Sequence, residues 1–549
     1  MNYPLWDLPA GGLLIAAVAI LHVYVSHFAV GGGFFLVVTE HKARRDNDQA
    51  LLAFVRAHSR FFILLTLVFG AITGVGIWFT IALVHPAATS SLITTFVWGW
   101  AIEWTFFLAE IAAAMVYYYG WDRLTPRVHL AVGWIYFANA FLSLVVINGI
   151  LSYMLTPGAW LETRDFWDGV LNPTYFSSLA ARTVAAAGIA GFYALFVVSF
   201  SADGGLRARV ARDAGGWWVL PAAVLLPLTL LWYFAAAAEA GVPVGEILGT
   251  READAVAILQ TVFTTSDFGY PIAQRAVQVA IVAPAVIVLL TLALLARPRA
   301  CRPVLTTAIL ALGLASMGAA EWTREGLRKP WVIGNYMYVH GARADAAPAP
   351  FGTDRFTVDA LNAAGVLPST TWVRTWAAGP DAPEVDRLQA QGQEMFRLTC
   401  SQCHTIDGYL AIRPLVAGAH PAALTAMLNR LDTWRGRRMP PAIGTADERQ
   451  ALAVYLAGLG GASADDLSGA FAPAASAGQA IFDERCSVCH GAGGDFEIDP
   501  KGRDPEVFYE LIGRLPAINE MMEPFDGTDE ERRALASHLA TRPGRGAQP

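Results

Sequence analysis

Eight long apolar segments dominate the first 340 residues of this 549-residue chain. About 20 residues of α-helix, rising roughly 1.5 Å each, cross the hydrocarbon core of a bilayer, so each segment predicts a transmembrane helix. A mean hydropathy of +0.41 and a charged fraction of 15% exclude a wholly soluble protein, which carries about a quarter charged residues. The segments span residues 12–38, 60–84, 95–119, 129–153, 176–200, 216–238, 273–296 and 303–325.

Basic residues in the connecting loops predict how the chain crosses the membrane. The loops after the first, third, fifth and seventh segments carry 13 Lys and Arg residues, whereas the other loops carry only Arg164 and Arg251. Loops rich in Lys and Arg stay in the cytoplasm, so the N-terminus and everything after residue 325 are expected outside it. Because no basic stretch precedes the first segment, we expect this helix to be retained rather than cleaved as a signal peptide.

Four of the five cysteines fall into two copies of a Cys-x-x-Cys-His motif in the polar part of the chain. In c-type haem attachment the two thiols bond the vinyl groups and the His ligates the iron. A zinc ribbon or a redox dithiol is the alternative for such a motif. The two copies are Cys400-Ser-Gln-Cys403-His404 and Cys486-Ser-Val-Cys489-His490.

A methionine follows each motif and offers a second axial ligand for iron. Met439 lies 35 residues after His404, and Met522 lies 32 residues after His490. Met521 competes with Met522, but the Met-x-Pro pattern shared with the first copy favours Met522. Ligation by His and Met raises a haem's potential, which suits an electron carrier.

These features resemble class I cytochrome c domains. We expect cytochrome c domain 1 at 385–462 and domain 2 at 470–542, after a periplasmic linker at 336–384. An Ala-, Gly- and Ser-rich segment at 460–475 separates the two domains. In bacteria such haems are attached outside the cytoplasm, which agrees with the orientation expected from the loop charges.

Ionisable side chains inside the membrane segments are costly and therefore candidates for function. Glu103 and Glu110 are seven residues apart, on one helical face. A haem pocket with a proton supply requires a His that faces carboxylates at the same depth in the membrane. The alternative is that His22 and His27 only form hydrogen bonds between helices. The candidates are His22, Glu103, Glu110, Arg182 and Glu321.

The remaining polar groups of the membrane part have plainer interpretations. Gly31–Gly33 would permit close helix packing or close approach of a haem. Cys301 lies beside the seventh loop without a partner and is expected to be an inert thiol. Four histidines in or beside loops are expected to be solvated, namely His41, His58, His85 and His129.

Short stretches across residues 15–335 are similar to subunit I of cytochrome bd-type oxidases. The resemblance implies that His22 ligates a high-spin haem on the outer side and that Glu103 and Glu110 lie on a proton path. It also implies a bd-like transmembrane domain at 1–335. The matching stretches are Leu21-His22, Gly31–Gly33, Glu40, Gly70–Gly74, Glu103 to Glu110, Gly120-Trp-Asp-Arg-Leu124, Asn148-Gly149, Asn172-Pro173 and Arg328-Lys-Pro-Trp331.

The chain departs from that family at a second, low-spin haem. Where the family has a His before Thr-Val, this chain has Arg182, which cannot ligate iron, so that haem is expected to be missing. The family's ligating Glu aligns near Gly318, and Glu321, one helical turn later, is the candidate replacement. The segment at 239–271 is short and lacks the family's Lys/Glu pattern, so quinol oxidation there is not expected.

The expected fold class is mainly α, an eight-helix transmembrane bundle followed by two small all-α cytochrome c domains. Three functions fit: a bd-like oxidase subunit reducing dioxygen, an electron relay between a partner subunit or quinone and periplasmic carriers, or a haem-free anchor for the dihaem part. The first would be an oxidoreductase of the bacterial inner membrane with both ends periplasmic. The expected cofactors are two covalent haem c groups and, in the membrane, one or two haems of type b or d.

The net charge of −7 predicts where a partner would dock. Residues 1–340 carry +1 and residues 341–464 are neutral, whereas 465–549 hold 16 acidic and 8 basic side chains. The second haem domain is therefore the expected docking face for a basic periplasmic redox carrier. The family resemblance further implies a second membrane subunit. No nucleotide-binding loop is present, and no nucleic acid partner is expected.

Overall fold

Helices form almost all regular structure in the described part of the protein. The computed structural model of the chain describes residues 6, 8, 11–244, 260, 263, 271–344, 356–374, 382–433, 438–463, 467, 476–491, 496–500, 502–519 and 522–542. Among these residues the sheet structure consists of two short strands, β1 (Trp331–Ile333) and β2 (Met337–Tyr338). One compact unit comprises residues 14–82 and 88–337, and the other comprises 1–13, 83–87 and 338–549.

Eight helices in the described residues are long and apolar enough to cross a membrane, which confirms the number predicted. Even α3, with 23 residues, extends about 35 Å, more than the hydrocarbon core. The eight are α1 (Gly11–Arg45), α2 (Gln49–Val84), α3 (Val97–Tyr119), α4 (Pro126–Tyr153), α5 (Tyr175–Ser199), α6 (Gly204–Glu239), α7 (Pro271–Ala296) and α8 (Pro303–Arg328).

Two of these helices begin well before the apolar segments that predicted them. The helix α2 begins 11 residues before position 60, and α6 begins 12 residues before position 216. Asp48 and Asp203 cap the two starts, because their side chains accept hydrogen bonds from the first free amides. Hydropathy marks only the part of a helix that suits the bilayer, whereas backbone hydrogen bonding continues into the polar region.

Both long helices also contain one π-helical turn. It lies at Leu64–Phe69 in α2 and at Gly215–Val219 in α6. A π turn accommodates one extra residue in an α-helix and is frequent at functional sites.

Glycines bring the membrane helices into close contact. A Cβ atom at Gly31 would lie 1.9 Å from the carbonyl oxygen of Ala186, so α1 and α5 meet backbone to backbone. A Cβ atom at Gly33 would lie 2.1 Å from the ring of Tyr136 on α4. The Gly31–Gly33 stretch therefore serves helix packing, one of its two expected roles.

The second unit is also helical; its first Cys-x-x-Cys-His motif follows the end of a helix, and its second lies largely within a short one. The described residues include α9 (Val358–Ala364), α10 (Val366–Ser369), α11 (Glu384–Thr399), α12 (Pro421–Leu428), α13 (Ala446–Leu459), α14 (Ala477–Arg485), α15 (Ser487–His490), α16 (Pro505–Ile512), α17 (Leu515–Ile518) and α18 (Asp529–Thr541). The helical content of this unit agrees with the predicted fold class, which is mainly α.

The same helix crossing occurs twice in this unit. A Cβ atom at Gly392 of α11 would lie 2.1 Å from the carbonyl oxygen of Ala451 on α13. At Gly478 of α14 it would lie 2.0 Å from that of Ala534 on α18. Each glycine precedes the first cysteine of its motif by eight residues. We call the two repeats, α11 to α13 and α14 to α18, the first and second haem modules.

Part of the predicted linker is bound to the first module. The carboxylate of Glu448 accepts hydrogen bonds from the amides of Val366 and Leu367, at 2.9 and 2.8 Å. Glu394 accepts one from the amide of Arg374 at 2.8 Å. Both carboxylates are buried, so they hold the start of α10 and the backbone at Arg374 against this module.

Candidate haem sites

The two Cys-x-x-Cys-His motifs have the same backbone geometry. The amides of the second Cys and of the His both donate to the carbonyl of the first Cys, at 3.0 to 3.1 Å in the first module and 2.9 to 3.2 Å in the second. The first Cys ends the preceding helix, since Cys400 donates to the carbonyl of Phe396 and Cys486 to that of Phe482. Each motif is therefore a single turn that brings two thiols and an imidazole together.

The histidines of both motifs have a proton on Nδ1 and a lone pair on Nε2. Nδ1 of His404 lies 2.9 Å from the carbonyl oxygen of Leu410, and Nδ1 of His490 lies 2.6 Å from that of Phe496. A carbonyl only accepts, so Nδ1 donates in both rings. Burial also lowers the pKa of His404 and favours its neutral form. Nε2 is thus the atom available to iron.

The cysteines of both motifs are free thiols, as thioether attachment requires. Burial raises the pKa of Cys400 and of Cys486 to about 11. Within the described ranges no group of three or more His, Cys, Asp or Glu side chains is placed to hold a metal ion.

Capping boxes place the two candidate methionines in the same register. Thr445 caps α13 and Thr528 caps α18, each in a reciprocal bond with the Glu three residues later. Met439 and Met522 each lie six residues before their capping threonine. This register supports Met522 as the equivalent of Met439, while Met521 lies outside the described residues.

His340 supports the loop that carries Met439. Its Nε2 lies 3.2 Å from the carbonyl oxygen of Pro441, and its Nδ1 accepts a hydrogen bond from the amide of Ala342 at 3.3 Å. The ring is only 4% exposed, and burial lowers its pKa to about 4. Sequence reasoning missed this residue, because no motif marks it.

In the membrane unit, His22 is oriented by α2. Nδ1 of His22 lies 3.0 Å from the hydroxyl oxygen of Thr73, and that hydroxyl donates to the carbonyl of Phe69 at 2.7 Å. Because the hydroxyl proton is committed, Nδ1 of His22 donates and its Nε2 keeps a lone pair. The ring fits an iron ligand, and its partner is a hydroxyl rather than one of the expected carboxylates.

Glu103 and Glu110 each pair with a hydroxyl on α4. The hydroxyl of Ser143 donates to Glu103 at 3.0 Å, and that of Tyr136 donates to Glu110 at 2.9 Å. The Tyr136 hydroxyl also lies 3.0 Å from the carbonyl oxygen of Ala29 on α1. Both partners lie seven residues apart, as the two glutamates do, so the pairs form successive rungs along two antiparallel helices.

A third rung continues this series at the other end of α3. Nδ1 of His129 lies 2.9 Å from the carboxylate of Glu40, and its Nε2 lies 2.9 Å from the carbonyl oxygen of Tyr117. The Tyr117 hydroxyl and the guanidinium of Arg44 also donate to Glu40. Tyr117 lies seven residues after Glu110, and His129 lies seven before Tyr136. We call these three rungs the polar ladder.

The predictions for two histidines were wrong. His129 is 1% exposed and bonded within the polar ladder, and His58 is fully buried between the stacked rings of Phe54 and Phe61. Both were expected to be solvated because they lie near the ends of apolar segments. However, α2 and α4 begin before these segments, so both histidines lie within packed helices and are buried. His41 is exposed as expected.

Glu321 lies between two guanidinium groups. Its carboxylate is 3.3 Å from Arg182 on α5 and 2.9 Å from Arg324 on its own helix. Arg182 is buried and its side chain also lies 3.4 Å from the hydroxyl of Ser178. Arg182 is thus part of an ion-pair cluster with the candidate ligand Glu321. Arg182 is the residue that stands where the resembled family has a haem-ligating His.

Two remaining predictions concern a thiol and a loop. Cys301 is buried, and burial raises its pKa to about 11, which agrees with an inert thiol. Most of the segment at 239–271, where quinol binding is not expected, lies outside the described residues.

Two family models match parts of this chain. Residues 13–241 match cytochrome bd terminal oxidase subunit I, and residues 473–539 match cytochrome c oxidase, cbb3-type, subunit III. Among solved structures, the bd oxidase from Geobacillus thermodenitrificans is similar, with 16% identity, a TM-score of 0.44, and coverage of 60% of this chain and 89% of that one. No curated protein sequence matches.

Proposed function

We propose that this chain, in which a cytochrome bd oxidase subunit I domain is joined to a C-terminal cytochrome c domain, is a subunit of a bd-like terminal oxidase. The two domains make it a membrane-bound haem protein of electron transport. The finer proposal is that electrons from a periplasmic carrier enter through the haem modules and reduce dioxygen in the membrane domain. The observation that carries it is His22, oriented by Thr73 with a free Nε2, in the same unit as the polar ladder.

The polar ladder supports a proton supply. Three rungs of acid, hydroxyl and imidazole groups follow the contact between α3 and α4, from Glu40 through Glu110 to Glu103. Isolated ionisable groups are costly in a membrane interior, and pairing each with a donor reduces that cost. Glu40 lies near the basic loop that the charge pattern assigns to the cytoplasm, so the ladder would carry protons outward toward Glu103.

Haem supplies the one-electron chemistry of this protein when it is bound. Cys400 and Cys403, with His404 and Met439, would hold the first haem c. Cys486 and Cys489, with His490 and Met522, would hold the second. His22 would hold a haem of type b or d. The pairing of Arg182 with Glu321 supports one membrane haem rather than two.

The cellular arrangement follows from the same proposal. The loop charges support an N-terminus and two haem modules on the periplasmic side of a bacterial inner membrane. A second membrane subunit would accompany this one, as the family resemblance implies. A basic periplasmic carrier would dock on the second haem module, where the excess of acidic side chains lies.

One observation favours the electron relay as a second candidate. Both carboxylate oxygens of Glu321 are engaged by arginines, so this side chain is not free to serve as a second haem ligand. A membrane domain with fewer haems than its family suits a protein that passes electrons between a partner or quinone and periplasmic carriers without oxygen chemistry.

Haem content separates these functions. Purified protein is analysed as pyridine haemochromes, comparing the natural chain with His22→Ala and with His41→Ala as the control for an exposed histidine. We expect two covalent haem c groups in all three proteins and an additional b- or d-type haem that only His22→Ala loses. Oxygen uptake with reduced cytochrome c is then measured on the same samples.

The outcomes point in different directions. Haem c alone in the natural protein would contradict the oxidase and leave the anchor. A b- or d-type haem that His22→Ala retains would exclude His22 as its ligand. An intact membrane haem without oxygen uptake would favour the relay.

A further inference from the structure

The second haem motif is in direct contact with the first module. The hydroxyl oxygen of Ser487, between the two cysteines of the second motif, lies 3.1 Å from the amide nitrogen of His420. That amide donates, because the Ser487 hydroxyl proton goes to the carbonyl of Asp483 at 3.0 Å. Ser487 is 2% exposed, so this cross-module hydrogen bond is shielded from water.

A backbone contact lies beside this hydrogen bond. A Cβ atom at Gly491, directly after the second motif, would lie 1.9 Å from the carbonyl oxygen of Gly418 in the first module. The amide of Gly418 donates to the carbonyl of Gly460 at 3.0 Å, which fixes this turn to the end of α13. The two modules therefore meet backbone to backbone, without a side chain between them.

The hydrophobic core of the first module extends to the same motif. Val488, the second residue between the cysteines, packs against a buried cluster that includes Val416 and Leu424. Cys400, the first thiol of the other motif, packs against this cluster too. Both residues between the cysteines of the second motif thus contact the first module, at the edge where haem would be attached.

A surface ion pair adds little to this contact. Arg430 of the first module lies 3.0 Å from Glu523 of the second, and both side chains are largely exposed. Exposed pairs contribute little and are screened by salt. The buried hydrogen bond of Ser487 and the glycine contact therefore define the docking geometry.

We infer that the contact between Gly418–His420 and Ser487–Gly491 is the junction for electron transfer between the two c-type haems, and that Ser487 is its positioning residue. With haem bound in both modules, one electron would cross this junction, so that one iron is oxidised as the other is reduced, with no bond or proton transferred. Electron transfer through protein becomes steeply slower with distance, so direct docking of the second attachment motif favours it. The inference rests on the proposed function, since it requires both modules to carry haem.

Matched substitutions isolate the hydroxyl of Ser487. Ser487→Val and Ser487→Thr place side chains of nearly equal size, but only threonine keeps the acceptor for the His420 amide. Ser401→Val is the control in the first motif, where the serine hydroxyl makes the same bond to a carbonyl four residues earlier, at 2.6 Å, as Ser487 does. All variants are prepared as full-length protein in detergent with both haems quantified.

Two measurements test the junction independently of oxygen chemistry. Hydrogen exchange reports the His420 amide, and pulsed EPR of the oxidised protein reports the distance between the two haem irons. We expect exchange at His420 about tenfold faster in Ser487→Val than in Ser487→Thr, because a buried donor loses its acceptor. The iron–iron distance distribution should broaden in the valine variant alone, and flash-induced electron transfer between the haems should become slower with it.

Equal exchange and equal distances in the valine and threonine variants would overturn the positioning role. A broadened distance with unchanged electron transfer would overturn the junction itself. If the protein is not an oxidase, oxygen uptake is absent, whereas hydrogen exchange at His420, the iron–iron distance and electron transfer between the haems are unaffected. The two failures are therefore distinguishable.

Discussion

His340 shows how one buried imidazole stabilises a loop that carries a candidate ligand. Its neutral ring donates to Pro441, two residues after Met439, and accepts from Ala342. If the His340 ring took up a second proton, Nδ1 would carry a hydrogen that faces the hydrogen of the Ala342 amide. Two donors would then oppose each other. The Met439 loop is therefore built for an unprotonated His340.

The first module should lose stability as the pH falls. Burial lowers the pKa of His340 from 6.5 to about 4 in the folded protein, so between these values only the unfolded chain takes up the proton. This linkage costs about 3 kcal/mol by pH 4 and is absent above pH 6.5. Guanidinium unfolding at several pH values, followed by haem absorbance, measures it.

His340→Gln is the comparison for this measurement. Its amide keeps a donor for Pro441 and has no titrating group. Parallel stability curves for the natural protein and the variant between pH 7 and pH 4 would contradict the assignment to His340.

The residues of the two Cys-x-x-Cys-His motifs could be found from the sequence, whereas the residues that support these candidate sites could not. Thioether attachment demands a fixed local spacing, so the two cysteine motifs and Met439 are visible in the sequence alone. His340 and Thr73 act on groups far away in the chain, and no local pattern marks such contacts.

At the scale of elements, the polar ladder joins α3 and α4 through a shared period of seven residues. Such a period keeps side chains on one helical face, so all three rungs depend on one register between the helices. Tyr136 is central, because its hydroxyl contacts both Glu110 and the backbone of α1.

Tyr136→Phe should lower oxygen consumption about tenfold while haem content stays unchanged. The substitution removes only the hydroxyl, which leaves the Glu110 carboxyl without its hydrogen-bond partner and interrupts the ladder. Oxygen uptake by the purified protein measures the effect. Tyr119→Phe is the control, because Tyr119 lies on α3, as Glu110 does, and is 58% exposed. Equal activities of the two variants would show that the ladder is not the proton path.

The sequence predicted half of this ladder. The spacing of Glu103 and Glu110 indicated one face of α3. Their partner residues on α4 have the same spacing, but they are uncharged, so nothing in the sequence marked them as candidates. Glu40 and His129 are paired across 89 residues, a contact that only the packing of α1 against α4 creates.

For the whole molecule, the uneven charge is a property of the second haem module. Several of its acidic residues are already paired with arginines, as Asp526 is with Arg485, yet 16 acidic side chains face only 8 basic ones after residue 464. Eight membrane helices and a helical C-terminal region could be predicted because hydropathy and the spacing of the Cys-x-x-Cys-His motifs are local signals. The helix ends could not, since polar residues continue α2 and α6.

Electron transfer from a basic cytochrome should become slower as salt rises. The screening length falls from about 10 Å at 0.1 M to about 3 Å at 1 M ionic strength, which removes long-range attraction. Stopped-flow reduction at both salt concentrations measures this. Glu484→Lys and Glu510→Lys, at exposed positions of the second module, should weaken the dependence, while Glu384→Lys in the first module should not. A rate independent of salt would exclude the second module as the docking face.

The π-helical turn at Leu64–Phe69 determines which side of α2 faces His22. An α-helix turns about 100° per residue, so an extra residue would rotate everything beyond it by that angle unless a π turn absorbs it. Thr73 follows the π turn by four residues, and its hydroxyl still reaches Nδ1 of His22. Deleting a single residue within 64–69 would therefore restore regular winding, keep the hydroxyl beside the imidazole, and leave the tautomer of His22 unchanged.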